Sequence, residues 1–329
     1  MEHRQLGDSG VATSVVVFGC GPGAGLMVTD DVQLQVEAVR VALDGGIDMF
    51  DTAAAYGDGR SETFLGRALK IVGARPKITS KVLLTDDQLG DIKGATFAGL
   101  EASLRRLKVD HLDVLMLHNR VARHRDPGRV VGIGPLLSVD DVLGSGGYAE
   151  AAAELKRSGV VRAAGYTTFG GEPDAIDELA WSGVFDAINA DFSPGNPSAG
   201  YAAKVPGMPN YHSVIDRVQA AGLSTMAIRV LGNGQLMRSD AERSPIETKV
   251  AAWLTAETGG VVSGAIRFVL SKPGVSSAVI GFSHPQHVRD AIAAAEAGAL
   301  LPKQVRELCR LHVGNEKRLA ASNGNKKRS

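Results

Sequence analysis

The chain has 329 residues, 44% hydrophobic and 5% aromatic, and its 36 Lys+Arg balance 36 Asp+Glu to a net charge of zero. That balance excludes a global basic field for nucleic acid or an anionic membrane surface and leaves a small molecule as the expected partner. The length suits one barrel or two smaller domains, and no apolar run reaches the roughly 18 residues of a membrane helix.

Met1-Glu2-His3-Arg4-Gln5 has no apolar signal-peptide core, and Cys20 and Cys309 are far apart with no CxxC or histidine cluster. A cytoplasmic chain without a metal site is the expectation. Residues His3 to Val11 place glycines at turn spacing and read as a hairpin. Ser14-Val15-Val16-Val17-Phe18 reads as a strand and runs into Gly19-Cys20-Gly21-Pro22-Gly23-Ala24-Gly25. Gly19, Gly21 and Ala24 formally fit a dinucleotide fingerprint. Pro22 removes a donor, however, and helical periodicity begins only near Asp30, so the glycines read as room for a ligand against the backbone. Cys20 reads as a buried free thiol.

Val32, Val36, Val39 and Leu43 recur at helical spacing, with Thr29 or Asp30 as the expected cap and Gly45-Gly46 as the stop. A strand then ends in Phe50-Asp51 and a loop carries Tyr56-Gly57. Ser61-Glu62 opens the next helix, with Glu62 expected to cap it. Lys81 closes the strand Ile78-Thr79-Ser80-Lys81-Val82. After the helical stripe Phe97, Leu100, Leu104 and Leu107, His118 closes Leu112 to Leu117, with Asp110 and Asp113 expected to support the turn before it. The Gly-, Pro- and charge-rich stretch from 119 to 147 reads as a long rim loop acting as a lid. Ala151 to Leu155, Gly159 and the strand Val160 to Ala164 repeat the alternation, a further strand follows at Phe185 to Ala190, the segment Leu223 to Gly234 ends a seventh, and Val275 to Ile280 reads as the eighth. Strands alternating with helices predict a parallel sheet; if it closes into a barrel, Asp51, Tyr56, Lys81 and His118 meet on one rim.

On Phe50-Asp51-Thr52-Ala53, Tyr56-Gly57, Ser61-Glu62, Leu65-Gly66, Ser80-Lys81 and the run from Asp110 to His118, the sequence resembles the aldo-keto reductases. The resemblance runs from Arg4-x-Leu6-Gly7 to the strand ending Ile280-Gly281. It implies one α/β domain over 1–329, a (β/α)8 TIM barrel floored by the hairpin; the basic end, 316–329, reads as a frayed tail. It also implies a reversible NAD(P)H-dependent carbonyl reductase in which Asp51, Tyr56, Lys81 and His118 are catalytic and Tyr56 is the general acid. Lys81 is expected to lower the Tyr56 pKa, and Asp51 to pair with Lys81.

The resemblance places NADPH, with NADH as the alternative, against Gly19, Cys20, Asp51, Thr167, Thr168, Asn189, Arg229, Leu231, Gly232, Gly234, Gly281, Ser283 and His287. Several positions depart from the family pattern. Thr168 replaces an asparagine, Asn189 a glutamine, and Ile228 or Arg229 an aromatic that stacks on the nicotinamide. Ser283, His284 and His287 stand where lysine or arginine usually meets a 2′-phosphate. Asn119 and Arg120 replace an aromatic, so Tyr56, His118, Asn119 and Arg120 are expected to contact a carbonyl or alcohol substrate along a polar wall, with Arg120 near an acid group. A sugar or polyol dehydrogenase working oxidatively with NAD and a cofactor-binding regulatory subunit are the alternatives; oligomeric state is not readable.

Overall fold

The computed structural model describes residues 1–125 and 133–313. The centre of the expected lid, 126–132, and the expected basic tail, 316–329, lie outside the described residues.

Eight parallel strands close a barrel: β1 (Val16–Gly19), β2 (Met49–Asp51), β3 (Lys77–Val82), β4 (Leu112–Leu117), β5 (Val161–Thr167), β6 (Ala187–Asp191), β7 (Ser224–Ile228) and β8 (Val275–Gly281). Each pairs with its sequence neighbours and β8 closes on β1, the order that right-handed βα units produce. The helices are α1 (Val32–Asp44), α2 (Arg60–Val72), α3 (Ile92–Leu107), α4 (Val139–Leu143), α5 (Tyr148–Ser158), α6 (Pro173–Ala180), α7 (Val214–Ala220), α8 (Pro245–Thr258), α9 (Val261–Leu270), α10 (Pro285–Glu296) and α11 (Pro302–Val313).

Side chains alternate in and out along each strand. Val17, Met49, Val114, Met116, Ala163, Ala187, Met226 and Val279 fill the lumen, whereas Phe18, Phe50, Leu115 and Leu117 face the helix layer. The expected hairpin is present, His3–Gln5 pairing antiparallel with Ala12–Ser14, so the first run splits between this hairpin and β1. Leu6 and Val11 plug the lumen from below, and Arg4 Nη1 donates to the Leu270 and Val275 carbonyls at 3.0 and 2.9 Å. The floor is therefore sealed and the opposite rim is open to carry chemistry.

Three local expectations are corrected. Asp31, not Thr29 or Asp30, caps α1 by accepting from the Leu34 amide. Glu62 caps nothing: fully buried, it accepts from Ser80 Oγ at 2.5 Å and Arg106 Nε at 2.6 Å, tying α2 to β3 and α3. Asp113 lies within β4, where it accepts from the Ile78 amide and pairs with Arg162, both at 2.9 Å, so it locks three strands rather than a turn. The glycine loop after β1 leads into a single 3-10 turn, Leu26–Val28, on Gly25, and no α-helix begins before Val32.

Candidate active site

The parity that fills the lumen also aims the ionisable residues. Asp51 is two residues beyond inward Met49, and His118 is two beyond inward Met116. Lys81 is two beyond Thr79, whose Oγ1 meets Met49 Sδ at 3.5 Å inside the barrel. All three side chains therefore crown the lumen at the carboxyl ends of neighbouring strands. Tyr56 arrives from the loop between β2 and α2. Its ring lies edge-on to His118 with centroids 5.6 Å apart, and the Lys81 ammonium stands 5.0 Å from its centroid. The four expected catalytic residues share one site.

Lys81 Nζ donates to Asp51 Oδ1 at 2.6 Å and to the Thr52 carbonyl at 2.8 Å, and both side chains of the pair are buried. Burial pushes the Asp51 carboxyl upward against the pull of Lys81. Burial also disfavours the Lys81 charge, but Asp51 and Tyr56 hold its pKa above the ordinary value. Such a pair survives burial because each charge compensates the other.

The expected acidification of Tyr56 is corrected. Burial raises its pKa, Lys81 pulls it down, Asp51 pushes it back, and the net direction is upward. The phenol is thus a protonated donor at neutral pH, which is the form an acid must have. His118 is pushed down to about 3 by burial, then by the charges of Lys81 and Arg120, so its imidazole is neutral. Its Nδ1 is buried without a partner, leaving Nε2 as the nitrogen that can meet a substrate.

The residues expected to hold a nicotinamide cofactor surround this crown. Gly281, Gly19 and Asp51 are in register across β8, β1 and β2. Thr167 ends β5. Asn189 points inward from β6, donating to the Met226 carbonyl at 3.3 Å while its Oδ1 is buried without a partner. That orphaned acceptor fits a carboxamide N–H, and Thr167 supplies a hydroxyl beside it. Beyond β7, Gly232, Asn233 and Gly234 take positive φ, and the amides of Leu231, Asn233 and Gly234 have no internal partner among the described residues, a set that fits phosphate oxygens.

Other expected contacts are spent elsewhere. Thr168 Oγ1 donates to the Asn189 carbonyl at 3.1 Å. The Cys20 thiol is buried, its pKa raised well above the ordinary value, first by burial and then by Asp51; its amide donates to the Asp51 carbonyl at 2.8 Å and its carbonyl accepts from Ser61 Oγ at 2.9 Å. Ser283 Oγ and His287 Nδ1 bond each other at 3.1 Å on the exposed start of α10, and His284 caps that helix.

On the substrate side, Asn119 is not a free polar wall. It accepts from the Leu84 amide at 2.8 Å and donates to the carbonyls of Leu84 and Pro135 at 2.9 and 3.1 Å, bracing the rim segment. Arg229 takes a left-handed φ of 54° that turns its guanidinium over the Phe169 ring, 3.8 Å from the centroid, and Arg120 lies 4.5 Å from the same centroid. Asp191, inward at the end of β6, accepts from Arg229 Nη1 and Tyr211 Oη, both at 2.9 Å. Sequence reasoning missed Phe169, Asp191 and Tyr211; for Asp191 the signal was its position two residues beyond Asn189. Cavities of about 540 Å³ beside Tyr201 and His312 and about 730 Å³ beside Lys70 and His111 are lined by none of the four crown residues.

The family model described as "Aldo/keto reductase family" matches residues 23–312. The chain is 30% identical over 179 residues to aldo-keto reductase YhdN of Bacillus subtilis, covering 51% of this chain and 47% of that protein. It is 33% identical over 129 residues to a probable voltage-gated potassium channel subunit beta of Arabidopsis thaliana, covering 36% and 37%. The chain thus spans about half the length of the first relative and over a third of the second. Among solved structures, aldo-keto reductase AKR11C1 from Bacillus halodurans in its holo form superposes with a TM-score of 0.76 at 23% identity, covering 95% of this chain and 96% of that one. That likeness concerns the fold.

Proposed function

The chain belongs to the aldo/keto reductase family, and from that premise we propose that it reduces an aldehyde or ketone to an alcohol, reversibly, with a nicotinamide cofactor. The carrying observation is the convergence of a protonated Tyr56, the Lys81–Asp51 ion pair and a neutral His118 at the open end of the barrel. Bound nicotinamide would supply the hydride. Thr167 and the Asn189 Oδ1 would hold its carboxamide, and the Leu231, Asn233 and Gly234 amides its phosphates.

In this reading His118 Nε2 donates a hydrogen bond that orients the substrate oxygen and stabilises the charge developing on it. Tyr56 transfers its phenolic proton to that oxygen as the carbon–oxygen double bond becomes single. Lys81, fixed by Asp51 and the Thr52 carbonyl, stabilises the phenolate left behind, a benefit that grows only as the proton leaves. In the oxidative direction Tyr56 takes the proton back as a base.

NADPH is the proposed cofactor and NADH the alternative. Ser283 and His287 would be the groups to meet a 2′-phosphate, with Arg289, the nearest permanent positive charge along α10, in an exposed pair 3.7 Å from Glu37. A cofactor-binding regulatory subunit is the competing role, and the Arabidopsis relative is named a probable channel subunit; the complete tetrad favours an enzyme. Initial rates with NADPH, NADH, NADP and NAD against simple aldehydes and alcohols test the proposal. Carbonyl-dependent oxidation of a reduced cofactor is expected, and cofactor binding with no turnover across the aldehydes would support the subunit instead.

A further inference from the structure

Arg120 and Arg229 reach the rim from different strands, after β4 and after β7, and both rest on Phe169 at 4.5 and 3.8 Å from its centroid. Stacking of this kind fixes a guanidinium plane while leaving its N–H groups directed along the edges. The carboxylate present, Asp191, gives its Oδ2 to both Arg229 and Tyr211, while its Oδ1 is buried without a partner. Among the described residues Arg120 has no carboxylate within ion-pair distance. Its position is nevertheless built: Gly170 has a φ of +70°, and a Cβ there would come 2.8 Å from Arg120 Nε, so that glycine leaves the space the guanidinium fills.

Two guanidiniums and one carboxylate leave a surplus positive charge at the rim. Arg229 lowers the Arg120 pKa, second only to burial, which is the repulsion such crowding causes. Arg120 also bears on His118, lowering its pKa after burial and Lys81, so the surplus charge lies beside the group that meets the substrate oxygen. An anion bound here would relieve the repulsion and gain charge-assisted hydrogen bonds to a pre-set fork.

Resting on the proposed carbonyl reduction, we infer that the substrate carries an acid group, a carboxylate or a phosphate, which docks on Arg120 with Arg229 behind it while the carbonyl lies against Tyr56 and His118. Arg229, a position the resemblance gives to the cofactor, is thereby assigned to the substrate; its carbonyl accepts from the Gly232 amide at 2.7 Å, so the anion site adjoins the amides assigned to the cofactor's phosphates.

The test compares matched substrates: 4-carboxybenzaldehyde against benzaldehyde for a carboxylate, and glyceraldehyde 3-phosphate against glyceraldehyde for a phosphate. The kcat/KM ratio, charged over neutral, is read in wild type, Arg120→Gln and Arg120→Lys. Wild type should prefer at least one charged member. Arg120→Gln should reduce that ratio about tenfold or more, through KM, and Arg120→Lys should retain part of it. Rising salt should erode the preference. No preference in wild type, or a ratio unmoved by Arg120→Gln, overturns the inference and leaves carbonyl reduction standing. A rise in cofactor KM with the ratio unchanged assigns the arginines to the cofactor and likewise overturns it. If no aldehyde is reduced, calorimetric titration with terephthalate decides separately: weaker binding by Arg120→Gln supports the anion site, and equal or absent binding refutes it.

Discussion

Tyr56 is governed by burial and two opposite charges, and burial wins. Lys81 therefore acts less by acidifying the resting phenol than by stabilising the phenolate once the proton has gone. The pH dependence follows with a definite sign. His118, held down to about 3, is neutral throughout the physiological range, and Tyr56, raised above its ordinary value, is protonated there. For reduction, kcat/KM should be level from about pH 5 to 9, with no histidine inflection near 6.5. Oxidation needs the phenolate, so its kcat/KM should climb with pH across the same interval. A reductive profile that turns at pH 6 to 7, and loses that turn in His118→Asn, would contradict this assignment. That Asp51, Tyr56, Lys81 and His118 meet on one rim was legible in the sequence, because each residue sits at a strand end or in the adjoining loop. Its electrostatics were not: the Tyr56 shift depends on how much protein surrounds the ring, and Asn119, polar in sequence, is consumed by Leu84 and Pro135.

At the scale of elements, the two-residue period of β2, β3 and β4 both packs the lumen and delivers the site. A one-residue register slip would turn Asp51, Lys81 or His118 into the helix layer. Around the strands, α2 meets α3 at Gly66, where an added Cβ would fall 2.5 Å from the Leu107 carbonyl oxygen. Backbone cannot yield there as a flexible side chain would. Gly66→Ala should therefore destabilise the fold by about 1–3 kcal/mol, read as a lower midpoint in urea unfolding with the slope retained. An unchanged midpoint would show that the helices separate freely. Most elements were legible from apolar periodicity, and the decoy fingerprint after β1 was rejected on Pro22. Less legible was the role of Glu62: local spacing reads it as a cap, whereas its partners Ser80 and Arg106 come from elements brought near only by the fold. In the stretch after β4, the described residues on either side of 126–132 hold regular structure that composition did not signal. Val121–Ala122 pairs with Leu137–Ser138 and α4 follows.

For the whole molecule, barrel closure makes one end a sealed floor, with Leu6, Val11 and Arg4 beneath the lumen, and the other an open crown. Strand–helix alternation and the strand-end motifs made this architecture readable in advance. Cofactor preference was not readable, because Ser283 and His287 lie on an exposed helix start and their arrangement around a phosphate depends on the ligand. The same architecture serves a reductase or a cofactor-binding subunit, so the central claim concerns what Tyr56 does within it. Its most direct test is Tyr56→Phe, which removes the transferable proton and keeps the ring that packs against His118 and Lys81. With cofactor affinity followed by fluorescence titration and reduction by single-turnover oxidation of NADPH, near-complete loss of reduction with little change in cofactor affinity is expected. Reduction by Tyr56→Phe at a rate close to that of the unsubstituted protein would contradict it.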